Sequence, residues 1–209
     1  MAKPALTIRR ATRRDAPTIL ALIRGLAEYE RLEHEMDATA ARLRRHGFGR
    51  GRYFETLLCL RGRRAVGFAL YFFTYSTFLA RPTLYLEDLF VLPEERGRGA
   101  GTLLLSTLAR VAARKGCGRM EWAVLDWNAP SITFYEGLGA VLRRDWILTR
   151  LTGEPLRRLA RAPRSRSRPG TARAHETPPP GQQPPKRRDE DVAQERRTNL
   201  TPSIRVRGS

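Results

Sequence analysis

Lysine is almost missing from this chain. Of 39 basic side chains only Lys3, Lys115 and Lys186 are lysines, and against 21 acidic residues the formal net charge is +18. A surplus of guanidinium groups favours anionic partners such as phosphates or nucleic acid, without choosing among them. Cysteine is as scarce: Cys59 and Cys117 stand far apart, in no metal-ligand spacing. Neither a structural disulfide nor a metal site is expected. No run approaches the ~18 consecutive apolar residues of a membrane helix. The opening "MAKPALTIRRATRRD" has no apolar stretch of the secretory kind. These absences predict a soluble, cytoplasmic protein with reduced thiols and no membrane contact. His34, His46 and His175 stand in no partnered spacing.

Aromatic residues vanish after residue 160. Residues 161–209 hold 8 of the 14 prolines and 12 Arg/Lys against 5 Asp/Glu. Such a segment cannot bury enough apolar area to offset its ordering entropy. It is expected to be a disordered Arg/Pro-rich tail beyond a domain at 1–160. The domain stays basic without it, with 27 Arg/Lys against 16 Asp/Glu. Nucleic acid could bind through the tail alone.

What the first 160 residues have is alternating strand and helix patterns. "ALTIRRA" (5–11) reads as a strand. Asp15 and Pro17 open a helix carrying Ile19, Leu22, Ile23 and Leu26, and a second helix is expected from Asp37 to His46. "YFETLLCL" and "RRAVGFALYFFTY" form a hairpin around Arg61-Gly62-Arg63, and "TLYLEDLFVL" (83–92) follows as a strand. A helix from about Gly99 to Lys115, a strand "MEWAVLD" (120–126), a short helix from Asn128 through Tyr135 and a last strand "RDWILTRL" complete the order. Strands interleaved with helices predict an α/β (α+β) fold, a mixed central sheet with helices packed on it.

The stretch "ERGRGAG" (95–101) separates the fourth strand from its helix. A helix start presents backbone N–H groups without intrahelical partners and the positive end of the dipole. Glycines let a phosphate approach that backbone, and Arg96 and Arg98 can neutralise it. The spacing is neither a P-loop nor a dinucleotide fingerprint. An ordinary glycine turn is the competing reading.

Arg96-x-x-Gly99-x-Gly101 fits the [QR]-x-x-G-x-[GA] signature of the GNAT N-acetyltransferases. "LAEYE", "FGRGRYFETLLC", "VGFALYFFTYST", "LYLEDLFVLPEERGRGAG" and "AVLDWNAPSITFYEGLGA" resemble the diamine acetyltransferases more narrowly, above all their thialysine N-epsilon-acetyltransferase branch. The resemblance spans about three quarters of the chain and leaves the tail out. It implies the GNAT fold, acetyl-coenzyme A as co-substrate, no metal, a homodimer, and acetylation of a small primary amine by direct attack in a ternary complex. Another amine, such as a peptide or aminoglycoside, is an alternative, as is a basic nucleic-acid-binding protein.

The resemblance also assigns residues. Gly97 to Thr102, that is Gly97, Arg98, Gly99, Ala100, Gly101 and Thr102, match the pyrophosphate turn together with Arg96. Leu89, Phe90 and Val91 match the strand whose backbone pairs with pantetheine. Asn128, Ala129, Pro130 and Ser131 match a further coenzyme A contact. Tyr135 matches the general acid for the thiolate, although a core aromatic is the ordinary reading. Tyr29 and Glu30 match the mouth of the amine site, in a patch with Glu28, Glu33 and Glu35 that otherwise reads as a solvated helix end. Adjacent strand residues point to opposite faces, which puts Glu87 with Tyr85, Leu89 and Val91, and Asp88 with Leu86 and Phe90. A structural salt bridge would explain either carboxylate. The resemblance makes Glu87 the one facing the amine and Asp88 the second candidate. Ser76 and Phe78 stand where the polyamine-specific branch has an acid and a tryptophan.

Overall fold

The computed structural model describes residues 4–161. They divide into two units, one ending at Arg144 and one beginning at Asp145. The first unit runs β1 (Leu6–Arg10), α1 (Ala16–Glu30), α2 (Ala40–Phe48), β2 (Glu55–Arg61), β3 (Arg64–Ser76), β4 (Arg81–Val91), α3 (Ala100–Arg114), β5 (Arg119–Trp122) and α4 (Ala129–Glu136). The five strands form one sheet in chain order, antiparallel except for the parallel β4–β5 pair. The expected mixed sheet with packed helices is what the chain forms.

Each face of the sheet buries its own core. One face carries Leu57, Cys59, Ala69, Tyr71, Leu84 and Leu86 against Leu104, Leu105, Leu108 and Val111 of α3. The other carries Leu58, Phe68, Leu70 and Phe90 against Ile19 and Leu22 of α1 and Leu43 of α2. The apolar spacing of 3–4 residues on α1 and α3 puts these side chains on one stripe each. Cys59 is fully buried, and burial pushes its thiol up. That suits a core residue rather than a nucleophile.

The hairpin turn falls on Gly62-Arg63, with Gly62 at φ 61. α3 starts after Gly99 and stops at Arg114, and Gly116 follows at φ 66. Other boundaries move. Asp15 precedes α1 without capping it; its carboxylate accepts from Thr12 N, Thr12 Oγ1 and Arg9 instead. α2 begins later than Asp37, because Thr39 takes the cap by accepting from Arg42 N at 3.2 Å, while Asp37 pairs with the Arg42 side chain. β5 stops at Trp122 instead of reaching Asp126, since its ladder with β4 ends at Leu86↔Trp122.

The second unit corrects the expected last strand. Residues 145–152 have no regular structure, and Trp146, Ile147 and Leu148 are exposed. The apolar run signals burial, but its own unit holds no other described strand with which to build a ladder. α5 (Gly153–Arg161), unforeseen, follows, with Glu154 donated to by Arg157 Nε at 2.9 Å. The expectation of disorder for 161–209 falls, Arg161 apart, outside the described residues.

Candidate active site

One extra residue in β4 shapes the site. Leu70 pairs with Asp88 but Tyr71 pairs with Leu86, so Glu87 is the bulge. A bulge inserts one residue and flips the alternation beyond it. Leu86 therefore packs under α3, whereas Phe90 packs under α1 and α2. The expected faces hold on only one side of the bulge: Asp88 shares a face with Phe90 but not with Leu86. Leu89 and Val91 fall on the α3 face. The parallel ladder with β5 also ends here, at Leu86. Past it, the β5-side edge of residues 87–91 has no strand beside it among the described residues. The Val91 carbonyl is taken by the Arg96 side chain; an extended ligand could take the groups that remain on that edge.

The bulge gives the two carboxylates different surroundings. Glu87 is exposed. Asp88 points to the α1 side, where a cavity is lined by Ile23, Leu26, Glu30, Met36 and Asp37 among others. Burial first, then the charges of Glu87 and Glu30, push the Asp88 carboxyl up to about 7. A carboxylate near neutrality is poised to exchange protons. Of the acidic patch on α1, Glu28, Glu33 and Glu35 are exposed; Glu30 alone is half-buried, and burial raises its pKa.

Tyr135 lies within electrostatic reach of the same Glu30. It is 8% exposed, between Trp122 at 5.2 Å and Phe134 at 5.4 Å between ring centroids. A buried tyrosine hydroxyl ordinarily finds a partner. The Tyr135 hydroxyl has none among the described residues, although its ring sits in the core as the ordinary reading expects. Burial, Glu30 and Tyr29 push the phenol up to about 12, so it stays protonated at neutral pH. Glu30 thus acts on both Asp88 and Tyr135.

Tyr29 and Asn128 tie α1 to the start of α4. The Tyr29 hydroxyl donates to Asn128 Oδ1 at 3.0 Å, and the same oxygen accepts from Ser131 N at 3.3 Å as the α4 cap. Asn128 is buried by these duties; Ala129 and Pro130 are exposed and Ser131 half-buried. Trp127 stacks obliquely on Tyr29, 6.0 Å between centroids.

The glycine turn is an open cradle. Gly97 and Gly99 have φ 67 and 84, and a Cβ at either would meet no protein atom within 4 Å. No side chain caps the α3 N-terminus. The N–H groups of Ala100, Gly101 and Thr102, in the first turn of α3, have no intrahelical partner, and glycine is the residue that adopts the positive φ of Gly99 without strain. The turn is braced by Glu95, 5% exposed, which accepts from Arg61 Nε at 2.8 Å and lies 2.7 Å from a second Arg61 nitrogen. Arg98 keeps one long contact to Glu95, 3.9 Å. Arg96 is turned elsewhere: its guanidinium lies 4.4 Å from the Tyr29 ring centroid and its Nε donates to the Val91 carbonyl at 3.1 Å. Reaching an anion in the turn would require it to leave Tyr29.

Ser76 sits away from this chemistry. It is buried, and its Oγ accepts from Leu79 N at 3.2 Å to close the β3–β4 turn, where Phe78 is exposed. Among the described residues no three His, Cys, Asp or Glu side chains gather as a metal site requires. No described helix is long and apolar enough to cross a membrane.

The acetyltransferase (GNAT) family profile matches residues 16–140. A thialysine N-epsilon-acetyltransferase of Mus musculus is 39% identical over 164 residues, covering 73% of this chain and 96% of that protein. The L-ornithine N5-acetyltransferase NATA1 of Arabidopsis thaliana is 47% identical over 90 residues, 43% of this chain and 40% of that one. Among solved structures, an integron cassette protein from the mobile metagenome of V. cholerae superposes with TM-score 0.65 at 24% identity, covering 75% of this chain and 98% of that chain. At that identity the likeness concerns the fold.

Proposed function

The chain belongs to the acetyltransferase (GNAT) family, and from that premise we propose that it moves the acetyl group of acetyl-coenzyme A to the primary amine of a small substrate, a thialysine-like amino acid or short diamine, in a ternary complex. It is an acyltransferase enzyme acting on amines. The thialysine and L-ornithine activities of its relatives share one chemistry, a terminal amine on an amino acid. The observation that carries the reading is that Asp88 and Glu30 line one cavity while the same Glu30 is within reach of the unpartnered Tyr135 hydroxyl.

The pyrophosphate would sit in the open cradle of Gly97 and Gly99, against the N–H groups that open α3. The pantetheine arm would run along the free edge of Leu89, Phe90 and Val91. An alkyl ammonium loses its proton near ~10.4, so the amine must be deprotonated before it attacks. Asp88, held near 7, is the better-placed base, directly or through a water; Glu87 attracts the cation from the exposed side. The amine nitrogen bonds to the thioester carbonyl carbon, the oxygen gains charge, the nitrogen gives its second proton to water, and the C–S bond breaks on collapse to leave the neutral amide. Tyr135 meets the departing thiolate with a hydrogen bond and a proton. A phenol near 12 is a weaker acid than the thiol it forms, so it regains that proton quickly from water. Tyr29 and Glu30 form the mouth.

Residues 1–160 are read as the catalytic domain, cytoplasmic, working as a homodimer. Exposed Trp146, Ile147 and Leu148 are the kind of apolar surface a second subunit covers. An amine panel with acetyl-coenzyme A and thiol-release detection tests the activity. Turnover of thialysine or a short diamine, retained on deleting 162–209, is expected; turnover of none of these amines refutes it. Sedimentation reads the assembly.

A further inference from the structure

α1 ends in an unusual way. Its stop residue is Arg31, at φ 59 and ψ 35, one of two non-glycine residues with positive φ among the described residues. Glycine or asparagine is the usual choice there, because a Cβ costs energy in this region. The left-handed turn satisfies the helix end: Arg31 N donates to Glu28 O at 3.2 Å and Leu32 N to Ala27 O at 2.9 Å. Any residue could supply those bonds, so they do not call for an arginine.

The arginine side chain has a different setting. Glu30, Arg31 and Trp127 line a cavity of ≈320 Å³. Glu30 also lines the neighbouring cavity that contains Asp88. The Arg31 guanidinium has no ion pair among the described residues. The cavity therefore offers a carboxylate on the side of the reacting groups and an unpaired guanidinium beyond it, with an indole as a wall. A ligand that complements this order has an amine to go inward and an anion to stay outside. Spermine and diamines carry no anion. An amino acid with a terminal amine carries both.

We propose that Arg31 holds the α-carboxylate of an amino-acid substrate in the Glu30–Arg31–Trp127 cavity, and so makes this enzyme select amino acids over diamines of equal length. The inference rests on the amine-acetyltransferase reading above. Guanidinium and carboxylate match as a two-pronged pair, so the contact fixes orientation as well as charge. Arg31 is a specificity residue and takes no part in proton transfer.

The test uses a matched pair of substrates: thialysine and the diamine left when its carboxyl is replaced by hydrogen. Arg31→Gly removes the guanidinium at a φ that glycine prefers, so the fold is kept. Arg31→Lys restores a cation. Binding is measured by calorimetry and turnover by thiol release, on the full chain. We expect Arg31→Gly to weaken thialysine binding and kcat/KM about tenfold, mostly in KM, as a charge-assisted contact of about 1.4 kcal/mol requires. The diamine should change less than twofold, and Arg31→Lys should recover part of the thialysine loss. Equal losses for both substrates, or none for either, overturn the proposal. Failure of the activity reading looks different: no amine turns over, while calorimetry still shows whether the carboxylate contributes to binding through Arg31.

Discussion

Replacing Asp88 by asparagine separates two consequences of its burial. Its carboxyl is pushed from 3.8 up to about 7, by burial first and then by Glu87 and Glu30. Between those two values the folded chain holds a proton that the unfolded chain has lost. Stability therefore falls as pH rises from about 4 to about 7, and the whole penalty is present above about 7. At about 1.4 kcal/mol per pH unit the penalty is about 4 kcal/mol, an upper figure because relaxation and water reduce it. Asparagine keeps the shape and cannot ionise. At pH 8 the Asp88→Asn protein should be more stable than the unmodified one by up to about 4 kcal/mol, or about 8–16 °C in Tm for a chain of this size. At pH 4 the two should melt together.

The same substitution should cost activity. A positioned general base is worth about 10²-fold or more, and the kcat/KM profile of the unmodified enzyme should rise with pH to a plateau above an apparent value near 7. With Glu30 and Glu87 close by, that value belongs to the group of carboxylates. Thermal melts across pH 4–8, with rate profiles over the same range, read both effects. A stability gain equal at pH 4 and pH 8, or a variant of full activity, would refute the reasoning.

Three further outcomes are expected. Gly99→Val should weaken acetyl-coenzyme A at least tenfold by calorimetry, because the Cβ fills space that the protein leaves open, and should cost about 1–3 kcal/mol of stability from its positive φ; unchanged affinity sinks the cradle assignment. Tyr135→Phe should retain acetyl-coenzyme A binding and lower kcat by about 10²-fold with little loss of Tm, since the hydroxyl has no described partner to lose; a wild-type rate returns the residue to the core. Glu95→Gln should leave the Arg61 guanidinium under-compensated in a buried place and cost about 3 kcal/mol in urea unfolding, whereas a loss below about 0.5 kcal/mol would mean that the pair does not brace the turn.

The glycine turn and the start of α4 were legible because their chemistry is local. Gly97 and Gly99 mark a turn of positive φ ahead of a helix, and Asn128 with Pro130 marks a helix start; the structure realises both within a residue or so. Arg31 was not legible, because nothing in its type marks a left-handed helix stop. The run Trp146–Leu148 misled because apolar content is local whereas a strand requires a partner. The bulge at Glu87 is the plainest case. It is a difference in residue count between β3 and β4, so no property of "LYLEDLFVL" alone contains it. Yet the β5 ladder ends at Leu86, next to the bulge, and the bulge puts Asp88 rather than Glu87 on the side of Glu30. A regular β4 would keep Asp88 on the face of Leu86, under α3, away from Glu30 and the α1 cavity. The broken alternation therefore sets the surroundings of both carboxylates, and reading β4 as a regular strand puts Asp88 with Leu86 instead of on the α1 side.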